Sequence, residues 1–194
     1  KNNVNLEDKI EDYKISSDFL TYFKNDEKIV TKGNTTADIK SKYNIKSKDV
    51  TFLRDDMEIS SNNKTIITDK LNLYNLSKFK YLINIEELRG EKITISSNYK
   101  TPKNDNFYFS SAIINLKSQN FIAKNTEIKV HKNIFDNSEN DPRIKGISSK
   151  KEGEITTINK GVFTSCKINN NCPAWAIEAS EIKHDKKKQE INYK

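Results

Sequence analysis

Apolar side chains recur at every second residue over short stretches of this chain, and polar turns separate the stretches. Tyr43 and Ile45, then Val50 and Phe52, face one way while Asn44, Lys46 and Thr51 face the other, the period of a half-buried strand. Leu71 and Leu73 flank Asn72; Tyr81, Ile83 and Ile85 flank Leu82 and Asn84; Ile93 and Ile95 flank Thr94. From Thr126 to His131, Ile128 and Val130 share a face opposite Glu127, Lys129 and His131. Near the end, Trp175, Ile177 and Ala179 oppose Glu178 and Ser180, and Ile182 leads through Lys186-Lys187-Lys188 to Ile191 and Tyr193, which predicts a final hairpin.

Turn residues fall where this reading needs them, at Asn62-Asn63-Lys64, Arg89-Gly90-Glu91, Asn104-Asp105-Asn106 and Gln119-Asn120. Strands at intervals of roughly 10 residues suit a sandwich, a jelly roll or a stacked β solenoid. Leu6–Ile15 and Asp69–Phe79 can be drawn as amphipathic turns, but their Asn, Asp and Ser residues are poor helix formers. The expectation is an all-β chain forming one domain over 1–194, with residues 1–12 fraying and an irregular insert over Phe135–Glu154.

Only 34% of the 194 residues are apolar and 31% are charged, so the core must be thin. The nine Phe and eight Tyr are spread along the chain, which excludes wholesale disorder. The net charge of +7 invites a nucleic-acid reading. Against it, only Arg54, Arg89 and Arg143 supply the guanidinium fork that grips phosphates and reads guanine edges; the remaining cations are lysines, which read best as a solvated surface. No stretch approaches the roughly 18 apolar residues of a membrane helix. The sequence begins at Lys1 with neither an initiator Met nor a leader, so a mature exported chain and a piece of a longer one both stay open.

The chemistry-bearing residues do not converge in sequence. No catalytic set is predicted: Cys166 and His184 lack a nucleophile signature, and His131 and His184 read as outward polar strand positions. Glu86-Glu87 and Asp55-Asp56 are sequence neighbours that a strand points to opposite faces. None of the five Gly forms a phosphate loop, so no cofactor is implied. Cys166 and Cys172, six positions apart, lack metal-ligand spacing, so no metal is expected. Across Asn169-Asn170-Asn171 the two thiols can close a small disulfide, stay free, or bond to cysteines elsewhere in a longer polypeptide.

Several runs carry a resemblance: Asn140-Asp141-Pro142-Arg143-Ile144-Lys145-Gly146-Ile147-Ser148-Ser149, Asn159 to Cys166, Cys172-Pro173-Ala174-Trp175, and Ile182-Lys183-His184-Asp185. Over about the last third, Glu127 to Lys194, the chain resembles the periplasmic N-terminal domain of the lipopolysaccharide-assembly outer-membrane proteins, the organic solvent tolerance (OstA) family. Earlier strands match only in rhythm. The resemblance implies a β-jelly-roll on the periplasmic side of the outer membrane. It would pass lipopolysaccharide along an apolar groove, pair by its edge strands with a bridge jelly roll, and continue into a β-barrel with a plug lipoprotein. It also implies that Cys166, and with it Cys172, bonds to the barrel portion. Unlike familiar members, this chain has no cysteine before Cys166, which leaves a local Cys166–Cys172 bridge as the other pairing.

Strand register, not motif, defines a groove. The apolar faces nominate Phe52, Ile67, Leu73, Ile83, Ile85, Ile95, Ile114, Phe121, Ile128, Val130, Trp175 and Ile177, for which ordinary core packing is the competing explanation. A stand-alone periplasmic lipid-binding protein of the same fold is the alternative reading. A basic nucleic-acid-binding β domain ranks below it, and an enzyme last; neither nucleic acid nor a cofactor is an expected partner.

Overall fold

The structure, a computed structural model, describes residues 4–132, 140–168, 174–188 and 190–194. The strands in chain order are β1 (Val4–Asp8), β2 (Tyr13–Phe23), β3 (Lys28–Ile39), β4 (Tyr43–Lys48), β5 (Thr51–Leu53), β6 (Glu58–Ser61), β7 (Thr65–Thr68) and β8 (Asn72–Leu76). They continue as β9 (Lys78–Leu82), β10 (Glu87–Ser97), β11 (Asp105–Asn115), β12 (Phe121–Lys129), β13 (Arg143–Glu152), β14 (Ile155–Thr164), β15 (Ile177–Asp185) and β16 (Glu190–Tyr193). The only helix among the described residues is a 3-10 turn at Lys24–Asp26. The all-β prediction is met and all strand pairs are antiparallel.

The sheet is one continuous surface that forks and rejoins. The second half of β3 pairs with β4, which leads through β7 and β8 to the second half of β10. The first half of β3 pairs with β5, which leads through β6 and β9 to the first half of β10. The long strands therefore belong to two half-sheets, A (the β4-β7-β8 side) and B (the β5-β6-β9 side). Rings from the two halves meet face to edge: Tyr13 of A lies 4.8 Å from Phe52 of B, and Tyr43 of A lies 5.8 Å from Tyr81 of B. The result is a sandwich made by creasing a single sheet.

Each long strand crosses the crease with its side-chain alternation reversed. Leu88 is buried in one half of β10 and Ile93 and Ile95 in the other, with Glu91 and Lys92 both outward at the corner. The same step falls at Ser110-Ser111, Lys124-Asn125, Ile147-Ser148, Asn159-Lys160 and Ser180-Glu181 in β11 to β15. Strict alternation would turn half of each strand inside out, so one residue must be absorbed at the bend. Lys92, Asn125 and Lys160 absorb it in left-handed conformations, with φ of 48°, 49° and 46°. In β3 the bend falls at Gly33, whose φ of 85° suits glycine.

Small inward residues let the two halves close on each other at the corner. A methyl group at Gly146 would run into Ile158 and lie 2.8 Å from the Asn159 carbonyl, and one at Gly161 would lie 2.6 Å from Ile182. Buried hydroxyls pair along the same line, Thr126 with Ser149 at 2.6 Å.

Two expectations change here. Val4–Asp8, expected to fray, is an edge strand in register with Tyr13–Ser17. The irregular insert expected over Phe135–Glu154 gives way to β13 from Arg143; its Phe135–Glu139 start lies outside the described residues.

Candidate functional site

The inner faces at the β10–β15 end form two opposed rows set by register. On half A an apolar ladder runs Ile95, Phe107, Ile128, Ile144, Phe163, Ile177, each residue opposite the next. On half B the matching row begins Leu88, Ile114, Phe121 and then turns polar at Lys151, Thr156 and His184 before Ile191. Between the rows lies a cavity of about 200 Å³, lined by Ile95, Ile114, Phe121 and Ile128 and rimmed by Asp105, Lys151, Glu154, His184 and Lys186.

Asp105, nearly buried at the start of β11, joins the two lips of this cavity. Its Oδ1 accepts hydrogen bonds from the His131 backbone N–H at 3.0 Å and pairs with the His131 ring at 2.9 Å, while Lys186, just past β15, reaches Oδ2 at 3.4 Å. Burial alone would raise the Asp105 carboxyl; the His131 hydrogen bonds and the Lys186 charge outweigh it and hold the group below its ordinary range. Lys151 and His184 are both pushed down by burial.

The predicted groove residues divide into three sets. Phe52, Ile67 and Ile83 are buried in the closed core. Ile95, Ile114, Phe121, Ile128 and the half-buried Val130 line the cavity. Leu73, Ile85 and Trp175 depart from the inward placement expected of them, and Ile177 keeps it but stands exposed. In β8 the inward positions are Asn72, Tyr74 and Leu76, so Leu73 faces out; the buried Asn72 amide is satisfied by Asp69 and Gln119. Ile85 lies in the turn after β9, 56% exposed. Trp175, 45% exposed, precedes β15 and packs its ring 5.9 Å from Phe163. Ile177 keeps its place in the half-A ladder but is 37% exposed, because β16 pairs with only the half-B portion of β15.

Both histidines, read from sequence as outward, instead take part in the cavity rim, His184 in the lining and His131 through Asp105. Phe107, Lys151 and Thr156 were not singled out. The signal that finds them is the outward doublet at each corner, polar in every strand from β10 to β15 except the Ile147-Ser148 of β13, after which alternation restarts on the other parity.

Cys166 carries a free thiol at the end of β14, with its Sγ 3.7 Å from the Trp175 carbonyl; Cys172 lies outside the described residues. A hydrogen bond with Thr164 lowers the Cys166 thiol, and Arg143 holds the segment by donating to the Cys166 carbonyl at 2.6 Å.

No family model and no curated protein matches this chain. Its function must be argued from the two rows and what bounds them.

Proposed function

We propose that this chain is a non-enzymatic lipid-transport module that passes lipopolysaccharide along its inner face, from a periplasmic bridge of similar jelly rolls to an outer-membrane barrel. The observation that carries the reading is the half-A ladder, which runs apolar from the closed core to an exposed end at Ile177. A core built only for stability would be capped there; an acyl chain entering or leaving the sandwich needs that end open.

The edges support the same reading. In half B the outer edge of β2 has no neighbour among the described residues along Phe19–Phe23, and Phe19, Tyr22 and Phe23 are exposed there. In half A the outer edge of β15 has no strand neighbour among the described residues from Ile177 to Ser180. Backbone groups left unpaired beside apolar side chains suit strand addition by another sheet at either end. The outer-face lysines are weaker ground for nucleic acid, since Lys145, Lys150 and Lys183 are paired with Glu127, Glu152 and Glu181.

A photo-crosslinking residue placed at Ile128, Phe163 or Ile177 should give lipopolysaccharide adducts, and one at the outward Glu127 should not. Adducts confined to Glu127, or none at any position, would overturn the proposal.

A further inference from the structure

The half-B row changes character along its length, and this gives the cavity a polarity. Ile114 and Phe121 face the half-A ladder as apolar surface; at the next strand the same row presents the Lys151 ammonium, then the Thr156 hydroxyl and the His184 imidazole. Lys151 is half-buried, and no hydrogen bond or salt bridge within the described residues engages its ammonium. The other charges facing it are accounted for. Asp105 and Lys186 neutralise each other across the mouth, and Glu154 is solvent-exposed in the turn after β13. Glu154 and Asp105 act on Lys151 through space without an ion pair, so its ammonium stands without a hydrogen-bonded partner within the described residues where the apolar lining ends, beside Thr156 and His184.

Resting on the lipid-transport reading, we infer that Lys151, Thr156 and His184 form a head-group site for a monoanionic amphiphile such as a fatty carboxylate, whose alkyl chain lies along Ile114, Phe121 and Ile128. The carboxylate takes a charge-assisted hydrogen bond from Lys151 and neutral ones from Thr156 and the His184 ring. A half-buried ammonium without a partner is costly, and a ligand anion removes that cost. The chain at the same time covers apolar surface that water otherwise wets. The site thus fixes which way round the amphiphile lies: head toward β13–β15, tail toward β10–β12.

Titration calorimetry of the full chain with dodecanoate, dodecyl maltoside and acetate tests this. Dodecanoate should bind more tightly than dodecyl maltoside, and acetate only weakly. Lys151→Met, which keeps the apolar stem, should weaken dodecanoate about tenfold and leave dodecyl maltoside within about twofold, and Lys151→Arg should restore most of the loss. Unchanged dodecyl maltoside binding also shows that Lys151→Met folds. If that variant does not fold, the wild-type preference for dodecanoate and its decline with added salt carry the test. Equal binding of both detergents, or equal losses in Lys151→Met, would overturn the head-group site and leave the apolar groove standing. Acetate binding as tightly as dodecanoate would remove the tail from the site. Binding of neither dodecyl ligand would overturn the groove reading itself.

Discussion

Between β3 and β10 the sandwich is filled by half-length strands carrying Tyr43, Tyr74, Tyr81, Phe52 and Phe79, all almost completely buried. From β12 to β16 every strand but the last crosses the crease at full length, and beyond Phe121 and Ala123, which still belong to the main core, the buried apolar cluster among the described residues shrinks to Ile128, Ile144, Ile158, Phe163 and Ile182. The forked region fills its inward positions with large aromatic and aliphatic side chains that exclude water. The full-length region has fewer large side chains, and polar groups enter its inner face. One creased sheet thus holds a closed core at one end and a small cavity at the other, and the two ends differ in the volume of their inward side chains.

Substitutions can break that contrast. The largest effect is expected at Phe52→Ala in the closed half, about 3–5 kcal/mol by chemical denaturation. A loss below about 1 kcal/mol there would mean that the closed half is no better packed than the open one. Removing the bond across the lips in Asp105→Ala should cost about 1.5–3 kcal/mol, since a nearly buried acceptor of His131 and Lys186 disappears. The loss should appear as faster amide exchange in β11 and β15 before β3–β10; uniform exchange would show that the lips are not a separate unit. Gly146→Ala tests the corner, where the added methyl meets Ile158 and the Asn159 carbonyl. A cost of about 1–3 kcal/mol is expected by thermal melting, and a neutral result would mean that the halves do not close tightly on each other.

The smallest effect is a pH dependence confined to the open half. Burial depresses His184 from its ordinary value of 6.5, so the unfolded chain binds the proton more readily than the folded one. The contribution is complete above pH 6.5 and is lost as pH falls through the lower folded value. His184→Gln should flatten the stability profile in that window, and an unchanged slope would place the titration elsewhere. Asp105 is also depressed, from 3.8, and its contribution is lost only below that value.

The strand content and the last hairpin were legible because period-two alternation and turn residues are local signals. Glu127–Lys129 was read correctly for the same reason: it lies on one side of its corner. What failed was everything that depends on counting through a bend. Leu73 was placed inward because Leu71-Asn72-Leu73 alternates as well as Asn72-Leu73-Tyr74, and only the partners of the Asn72 amide decide between them. Ile85 continued an alternation that had ended with β9 at Leu82, and it lies in the turn that closes at the left-handed Glu86. Lys151 and His184 looked like solvated surface because a charged residue at an inward position contradicts the usual pattern; functional sites are where such contradictions gather.

The corner doublets have a further consequence, for how the chain tolerates change in length. Each strand from β10 to β15 carries its two half-faces in opposite phase, and the phase is set by the number of residues between flanking inward positions such as Ala123 and Thr126. Deleting or inserting one residue there would invert an entire half-strand, exchanging its inward-facing row for its water-facing one, whereas the same event in the turns between strands would leave both phases intact. The crease therefore acts as a reading frame for the sheet: length can vary at the rims, but not along the spine.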